Sequence, residues 1–397
     1  MKVSVEELKR KAEESVDLLS ETLRKISEDI HRNPELAFKE VKAANWLASF
    51  LEGEGFKVER NAAGMGTAFI AEYVSGEGGP TVSILAEYDA LPGVGHACGH
   101  NIIGTSAAGA GAALKRALSG TGLPGRVLVL GTPAEEGGGG KVLMVKAGVF
   151  KDVDAALMMH PTSGLSRMGG RSLATHSFQL DYYGKPAHAA ASPTEGINGL
   201  DAVNIFFHAV ACLRQHVADD VRMHGMVTMG GDAVNIVPEH TQVRYLARSY
   251  SLKTLARVVE RVKQCAQAGA LATGCRLEIQ ESAGYLARIP NTAISEAFSA
   301  NLNALGEATL PGVVDSKGST DFGDVSMEVP ACNAYIRIAP EEVAGHSREF
   351  CQAANSDEGL AALYLSAKSM AHTAIDLLTD PELLDRAKAE FLKGRDS

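Results

Sequence analysis

The sequence predicts an α/β fold in which a domain built on a mainly parallel sheet carries an inserted ferredoxin-like domain of order βαββαβ. Short β-rich runs alternate with amphipathic or Ala-rich helical runs over residues 1–171, which is typical of a parallel sheet. The rhythm changes over 172–283 and the first pattern resumes over 284–397. A chain of 397 residues also exceeds the size at which one core stops growing.

Capping signals and periodicity place the elements of the first domain. Ser4 and Glu7 form a capping box ahead of an amphipathic helix that reaches about Ile30. Further helices are predicted at 39–52, 99–118 and 141–147, and strands at 67–74, 81–86, 126–130 and 155–159.

The inserted domain has its own order of elements. Strands are predicted at 175–183, 221–229, 242–249 and 276–281, with helices at 196–216 and 252–270. Along the chain these elements follow the order βαββαβ, which is that of a ferredoxin-like domain.

Composition excludes several classes of function. With 38 Lys and Arg against 48 Asp and Glu the net charge is −10, so neither a nucleic acid nor an anionic membrane is an expected partner. No apolar run is long enough to span a bilayer, and the charged N-terminus does not resemble a signal peptide. Six scattered cysteines without a C-x-x-C pair indicate free thiols and a cytoplasmic location.

Polar residues follow three of the predicted strands, where open α/β sheets bind ligands. Cys98 and His100 form a C-x-H pair that suits zinc, although a buried cysteine beside a helix-capping histidine is the alternative. Glu135 and Glu136 can divide the roles of base and metal ligand, or they can be two solvated surface acids.

Three further residues complete this group of candidates. His160 ends an apolar strand and His346 lies near the C-terminus; each is either a metal ligand or a satisfied histidine of the core. Asp89 can support a ligand by a hydrogen bond or can cap a turn. Ligands from several loops with an uncommitted carboxylate fit a two-metal hydrolytic centre.

The inserted domain contributes a second set of candidates. His188 follows a strand, Asn235 lies in a loop and Arg248 lies near a strand end. A histidine, an amide and an arginine together suit a carbonyl oxygen or a substrate carboxylate. A turn residue or a surface charge is the alternative for each.

Taken together, these motifs resemble the co-catalytic metallo-amidohydrolase and metallopeptidase family that includes aminoacylase, carboxypeptidase G and the indole-acetyl-amino-acid hydrolases. Within it, they are similar to the branch of aminobenzoyl-glutamate hydrolase and the β-alanyl-lysine-type dipeptidase. The shared segments run in family order over nearly the whole chain: HRNPELAFKE (31–40), DALPGVGHACGHN (89–101), GTPAEEGGGGK (131–141), MMHP (158–161), GKPAHAA (184–190), NIVPE (235–239), GSTDFGDVS (318–326) and GHS (345–347).

The resemblance assigns roles residue by residue. The residues that match metal ligands are Cys98, His100, Glu136, His160 and His346. Glu135 matches the general base that acts on a metal-bridging water. His188 matches a lid histidine that polarises the scissile carbonyl, often in the partner subunit's site. Asn235 matches a substrate-contacting amide and Arg248 a residue near the substrate carboxylate.

Two departures from the family pattern concern the metal site. The ligand motif commonly ends in Asp, whereas this chain has Asn101, and the loss of that charge is expected to affect metal loading or ligand orientation. The segment AEYD replaces a more usual one and leaves Asp89 a supporting role. Whether Ser319, Thr320 or Asp321 touches substrate stays open.

The resemblance implies a homodimer that hydrolyses an amide or peptide bond in a small N-acyl amino acid or dipeptide, with Glu135 as base. It implies two divalent ions; the thiolate favours zinc, and the carboxylate and imidazoles also admit manganese. A hydrolytic deaminase on the same centre is one alternative, and a metal-binding or ligand-binding protein without catalysis is another.

Overall fold

A computed structural model describes residues 3–395. Its helices are α1 (Val5–Arg32), α2 (Val41–Gly53), α3 (His100–Leu118), α4 (Gly140–Lys146), α5 (Gly199–Leu213), α6 (Leu252–Thr273), α7 (Thr292–Ala304), α8 (Phe322–Ser326), α9 (Arg348–Ala353), α10 (Asp357–Thr379) and α11 (Pro381–Arg395). Its strands are β1 (Lys57–Arg60), β2 (Phe69–Gly76), β3 (Thr81–Ala86), β4 (Gly125–Gly131), β5 (Ala155–Ser163), β6 (Ser166–Gly169), β7 (Ala174–Tyr183), β8 (Arg222–Met229), β9 (His240–Ser249), β10 (Arg276–Ala283), β11 (Thr309–Val314) and β12 (Ala331–Ala339).

The chain divides into two compact units. Unit 1 comprises the chain up to Arg171, Ile289–Ser316 and the chain from Asp321 onward; unit 2 comprises Ser172–Arg288 and Lys317–Thr320. Unit 2 therefore extends beyond the predicted 172–283, because it also includes residues 284–288 and Lys317–Thr320. The physical reason is hydrogen bonding, because the main chain of Thr175 pairs with that of Tyr285 and the amide of Leu173 donates to Gly318 O.

Unit 1 is built on an eight-stranded sheet of order β1-β2-β4-β3-β5-β12-β6-β11. The four central strands β4, β3, β5 and β12 are parallel, as are β6 and β11, whereas β1 with β2, β2 with β4, and β12 with β6 pair antiparallel. This arrangement confirms the predicted mainly parallel sheet.

The central strands of this sheet are buried on both faces, because successive residues of β4 enter different hydrophobic clusters. Val127 and Val129 of β4 pack into the cluster with α1, α2, α3 and α10, whereas Leu128 and Leu130 pack into the cluster with α4 and α8. A parallel sheet with helices on both faces explains why these strands are continuous apolar runs in the sequence.

Local signals fix the two long helices that cover one face. Glu7 N donates to Ser4 Oγ over 3.2 Å, so the predicted cap at the start of α1 is present, and the helix ends at Arg32. α3 lies close to the sheet because a Cβ on Gly111 would stand 2.3 Å from Val129 Cγ2. The Ala- and Gly-rich sequence of α3 therefore serves tight packing.

Unit 2 contains a four-stranded antiparallel sheet of order β10-β7-β9-β8. With α5 after β7 and α6 after β9, this is the predicted ferredoxin-like order. Both helices pack on one face, where the rings of Phe206 and Tyr245 meet edge to face with centroids 5.2 Å apart. No helix in the described part of the chain has the length and apolar character of a membrane span.

Candidate active site

Three neighbouring parallel strands of unit 1 end at the same edge of the sheet. β3 pairs in parallel with both β4 and β5, so the segments after β3 and β4 lie beside the end of β5. Glu87 and Asp89 follow β3, Glu135 and Glu136 follow β4, and His160 lies within β5. Five titratable groups therefore lie at the carboxyl ends of these three strands.

A left-handed glycine brings Cys98 and His100 to this edge. Gly99 has φ +78°, and a Cβ there would stand 2.7 Å from Pro161 Cγ, so a larger residue would not fit against the end of β5. Cys98 Sγ lies 3.3 Å from His160 Nε2. The ligand atoms of Cys98, His100 and His160 all lie within 4.8 Å of one another.

The protonation of His160 suits a ligand. Its Nδ1 lies 2.6 Å from Pro161 O and donates to that carbonyl, which leaves Nε2 with the lone pair. Burial lowers the pKa of His160 to about 4, so the ring is neutral at pH 7. A neutral imidazole is the form that binds metals.

Glu136 and His346 join the same pocket. Glu136 Oε1 lies 3.6 Å from His346 Nε2 and 3.8 Å from His100 Nε2. The loop of His346 is anchored because His346 N donates to Ala97 O over 2.9 Å. Cys98, Glu136 and His346 form a second group within 4.8 Å. The five residues that match metal ligands thus lie together, in two groups that share Cys98.

Asp89 organises this pocket from behind. Its Oδ1 lies 2.9 Å from His100 Nδ1, and its Oδ2 accepts a hydrogen bond from Glu136 N over 2.9 Å. Burial opposes the charge of Asp89, but His100 and this amide hold its pKa below the usual value. One ionised carboxylate therefore orients two of the candidate ligands.

Two buried atoms of the pocket give a test of whether it suits a metal ion. His100 Nε2 and Glu136 Oε1 have no hydrogen-bond partner among residues 3–395, although both atoms are buried. Unsatisfied buried polar atoms are costly unless a ligand or ion satisfies them. With a thiol and two more imidazoles nearby, the donor set fits a divalent metal ion.

Glu135 lies beside the candidate ligands. Its carboxylate belongs to a group with His100 and Glu136 whose ligand atoms lie within 4.8 Å of one another. Burial raises the pKa of Glu135 well above its usual range, and the negative charges of Glu87 and Asp321 add to this effect. A carboxylate whose pKa is raised is a better proton acceptor than an ordinary one, which suits a general base.

A buried charge cluster lies directly next to Glu135. Lys141 Nζ lies 2.7 Å from Glu87 Oε1 and 2.6 Å from Asp321 Oδ1, and these three side chains are at most 1% exposed. Glu87 Oε2 lies 3.4 Å from His100 Nε2. The sequence interpretation assigned no role to Glu87 or Lys141 and left that of Asp321 open.

Sequence reasoning also missed Glu40, which supports the loop before Glu135. Glu40 Oε1 accepts hydrogen bonds from the amides of Phe38 and Ala134, each over 2.9 Å. Ala134 has the left-handed φ of +62°. Glu40 ends the shared segment 31–40, and that position was the available signal. Its complete burial, which shows its supporting role, cannot be read from the neighbouring residues.

The side-chain amide nitrogen of Asn101 is bonded to residues other than the candidate ligands. Its Nδ2 donates to Ser27 Oγ over 3.0 Å and to Ala354 O over 2.9 Å. An aspartate could not donate to the carbonyl of Ala354. The amide nitrogen therefore holds α3 against Ser27 of α1 and the main chain at Ala354. The expected effect of Asn101 on metal loading stays a prediction.

In unit 2, His188 and Asn235 lie on adjacent exposed loops. His188 Nδ1 accepts hydrogen bonds from Ala190 N and Ala191 N over 3.2 and 3.1 Å, so Nε2 carries the proton of the neutral ring. The amide of Ala189 donates to Asn235 O over 2.9 Å. His188 thus presents an exposed N–H donor.

Arg248 lies elsewhere in unit 2, on β9. Its Nη1 donates to Ser319 Oγ over 3.3 Å, and its buried Nε has no partner within residues 3–395. Burial lowers the pKa of Arg248, yet a guanidinium stays charged. The half-buried guanidinium can still bind an anion.

Comparison with known proteins gives a consistent result. Residues 84–369 match the sequence model of Peptidase family M20/M25/M40. The chain is 38% identical to a Xaa-Arg dipeptidase of Mus musculus, over 98% of this chain and 93% of the relative. It is 29% identical to a p-aminobenzoyl-glutamate hydrolase polypeptide of Escherichia coli K12, over 99% of this chain and 96% of the relative.

Solved structures share the fold. The Bacillus subtilis YXEP protein, described as a dinuclear metal-binding peptidase of the M20 family, superposes with a TM-score of 0.73 at 23% identity. The match covers 91% of this chain and 99% of that protein. It confirms the two-part α/β fold that the sequence predicts.

Proposed function

The chain belongs to Peptidase family M20/M25/M40, and on that premise we propose that it hydrolyses the amide or peptide bond of a dipeptide or small N-acyl amino acid in a metal-dependent reaction. The observation that carries this proposal is the pocket in which Cys98, Glu136 and His346 meet beside Glu135. The family resemblance noted from the motifs is confirmed by the match over residues 84–369.

Two divalent ions are proposed for this pocket, with zinc preferred over manganese. Cys98, His100, Glu136, His160 and His346 would hold them. The thiol of Cys98 is the reason for preferring zinc, because thiolates favour softer ions than carboxylates do. When bound, such ions polarise a carbonyl and acidify water.

Glu135 is proposed as the general base and acid. It would take a proton from the attacking water and return it to the leaving amine. Burial supports this role because it raises the pKa of Glu135 and so makes its carboxylate a better proton acceptor. Asp89 would keep His100 and Glu136 oriented during the reaction.

Three residues of unit 2 are proposed to act on the substrate. His188 would donate its Nε2–H to the oxyanion that forms at the scissile carbonyl, in its own or in the partner's site. Asn235, on the neighbouring loop, would donate its amide, and Arg248 would bind the substrate carboxylate. Dipeptides and N-acyl amino acids share that carboxylate.

A homodimer and a cytoplasmic location are further proposals. β8 lies at the end of the unit 2 sheet, and its Met226 and Met229 side chains are exposed, which supports pairing with a second copy. Sedimentation analysis of wild type and Met226→Glu would test the dimer. The cytoplasmic proposal is supported by all six cysteines being free thiols.

The proposed reaction is tested by a mass-spectrometric screen. Metal-loaded protein is incubated with a library of dipeptides and N-acyl amino acids, and Glu135→Ala serves as the matched inactive control. We expect cleavage products with wild type alone. Ammonia release without a carboxylic acid product would point to deamination, and binding without any turnover would contradict the hydrolase proposal.

A further inference from the structure

Lys141 is a fully buried lysine whose charge the proposed reaction does not use. It is the second residue of α4, and its side chain is 0% exposed. A buried ammonium is tolerated only where carboxylates surround it. Lys141 meets this condition through Glu87 and Asp321, at 2.7 and 2.6 Å.

Asp321 holds Lys141 at two points. Its Oδ1 accepts from the Lys141 ammonium, and its Oδ2 accepts from the Lys141 main-chain amide over 3.0 Å. The chain direction at the start of α4 and the position of the ammonium are therefore fixed by one carboxylate. The Lys141 side chain cannot move toward solvent without breaking the ammonium contacts to both Asp321 and Glu87.

The same carboxylates have the arrangement of a cation site. The ligand oxygens of Glu87, Glu135 and Asp321 all lie within 4.8 Å of one another, and we call these three residues the acidic group. Glu87 also approaches the candidate metal ligand His100, with Oε2 3.4 Å from Nε2. Without Lys141, the acidic group would extend the metal pocket by three oxygen ligands.

We propose that Lys141 is a positioning residue of the metal centre. Its ammonium takes the place of a cation in the acidic group and keeps Glu87 and Asp321 from binding metal. Divalent ions are then confined to the two groups that share Cys98. This inference rests on the proposed function, because it assumes a two-ion centre at those groups.

Metal binding by the metal-free full-length protein tests this role directly. Mn²⁺ is titrated calorimetrically into wild type and Lys141→Met, and metal retained after desalting is counted by elemental analysis. We expect about two equivalents in wild type and about three in Lys141→Met. The double variant Lys141→Met/Asp321→Asn should return to about two, because the acidic group has lost a ligand.

The matched control is Lys146→Met, which removes an exposed lysine from the same helix and should bind metal as wild type does. Lys141→Met that takes up no more metal than wild type overturns the inference. Wild type that binds no metal contradicts the proposed function instead, so the two failures are distinguishable. Circular dichroism of each metal-free variant establishes that it is folded.

Anomalous diffraction from zinc-loaded wild type gives a second test that needs no variant. The inference predicts that Glu87 and Asp321 stay in contact with Lys141 Nζ and outside bonding distance of either ion. A Zn–O distance of about 2.0–2.2 Å to Glu87 or Asp321 would overturn it. This measurement decides the question even where Lys141→Met does not fold.

Discussion

The candidate residues of unit 1 and those of unit 2 differ in how the protein holds them. His100 and Asp89 of unit 1 are 0% and 1% exposed and are bonded to each other. In unit 2, His188 and Asn235 are exposed on loops, where hydrogen bonds hold the Nδ1 of His188 and the main-chain carbonyl of Asn235. His100 and Asp89 are fixed by burial, although the side chain of His346 in the same unit is 56% exposed. His188 and Asn235 are presented to solvent.

This difference separates two tasks. Buried and mutually bonded ligands are arranged before any ion or substrate arrives, which lowers the cost of binding a metal. Exposed loop residues gain their final contacts only when substrate binds, as is common for residues that recognise a ligand. Substitutions of the five candidate ligands in unit 1 should therefore change metal content, and substitutions of the candidate residues in unit 2 should change turnover or substrate affinity alone.

The largest effect is expected from a candidate ligand. His160→Ala removes an imidazole that lies 3.3 Å from Cys98 Sγ. We expect loss of bound metal and a fall in turnover of about 10³-fold or more, because the ions supply the electrostatic stabilisation. Elemental analysis and steady-state kinetics measure both. His240→Ala, in unit 2, is the control and should retain its metal; full metal content in His160→Ala would break the comparison.

His188→Ala should separate turnover from metal content. The loss of an oxyanion donor is expected to lower kcat by about 10²–10³-fold while the metal content stays that of wild type. His216→Ala, an exposed histidine of the same unit, is the matched control. Unchanged kcat in His188→Ala would remove this histidine from the mechanism.

Arg248→Ala should act on substrate affinity. We expect KM to rise by about 10–100-fold for substrates with a free carboxylate and to change little for the corresponding amides. Arg244→Ala is the control, since Arg244 lies on the same face of β9 and is exposed. Equal effects on acids and amides would show that Arg248 does not bind the carboxylate.

A smaller effect concerns a buried histidine of unit 1 outside the pocket. Burial, with the charge of Lys9, lowers the pKa of His372 to about 4 from an ordinary 6.5. The unfolded chain therefore binds a proton more readily between these values, and stability present above pH 6.5 is lost as the pH falls toward 4.

In His372→Asn, the free energy of unfolding should fall by about 1–3 kcal/mol less between pH 7 and pH 4 than it does in wild type. Urea unfolding of the metal-free protein at pH 7 and pH 4 measures it. Equal losses for the variant and wild type would show that His372 does not titrate on unfolding in this range.

Local patterns in the sequence predicted the sheet and most of the pocket, because both depend on short segments. The cap at Ser4 and the apolar strands are local features, and Cys98 and Glu136 stand in short motifs at strand ends. Lys141 was missed because its carboxylate partners come from 54 and 180 residues away, which no local pattern encodes.

The role of Asn101 and the limits of unit 2 show the same restriction. The partners of Asn101 are Ser27 and Ala354, which are far from it in the chain. The segment Lys317–Thr320 belongs to unit 2 through contacts such as Leu173 N to Gly318 O. Such contacts join residues that are far apart in the sequence, so they depend on the packed fold and not on the residues adjacent in the chain.

The two adjacent glutamates test the central claim most directly, because they are neighbours with different proposed roles. Metal content and kcat are measured in parallel for Glu135→Gln and Glu136→Gln. Glu135→Gln should keep both ions and lose about 10²–10⁴-fold in kcat. Glu136→Gln should lose metal, since its Oε1 lies 3.6 Å from His346 Nε2 in the pocket. The assignment would be contradicted if Glu135→Gln lost its metal while Glu136→Gln kept both its metal and a near-normal kcat.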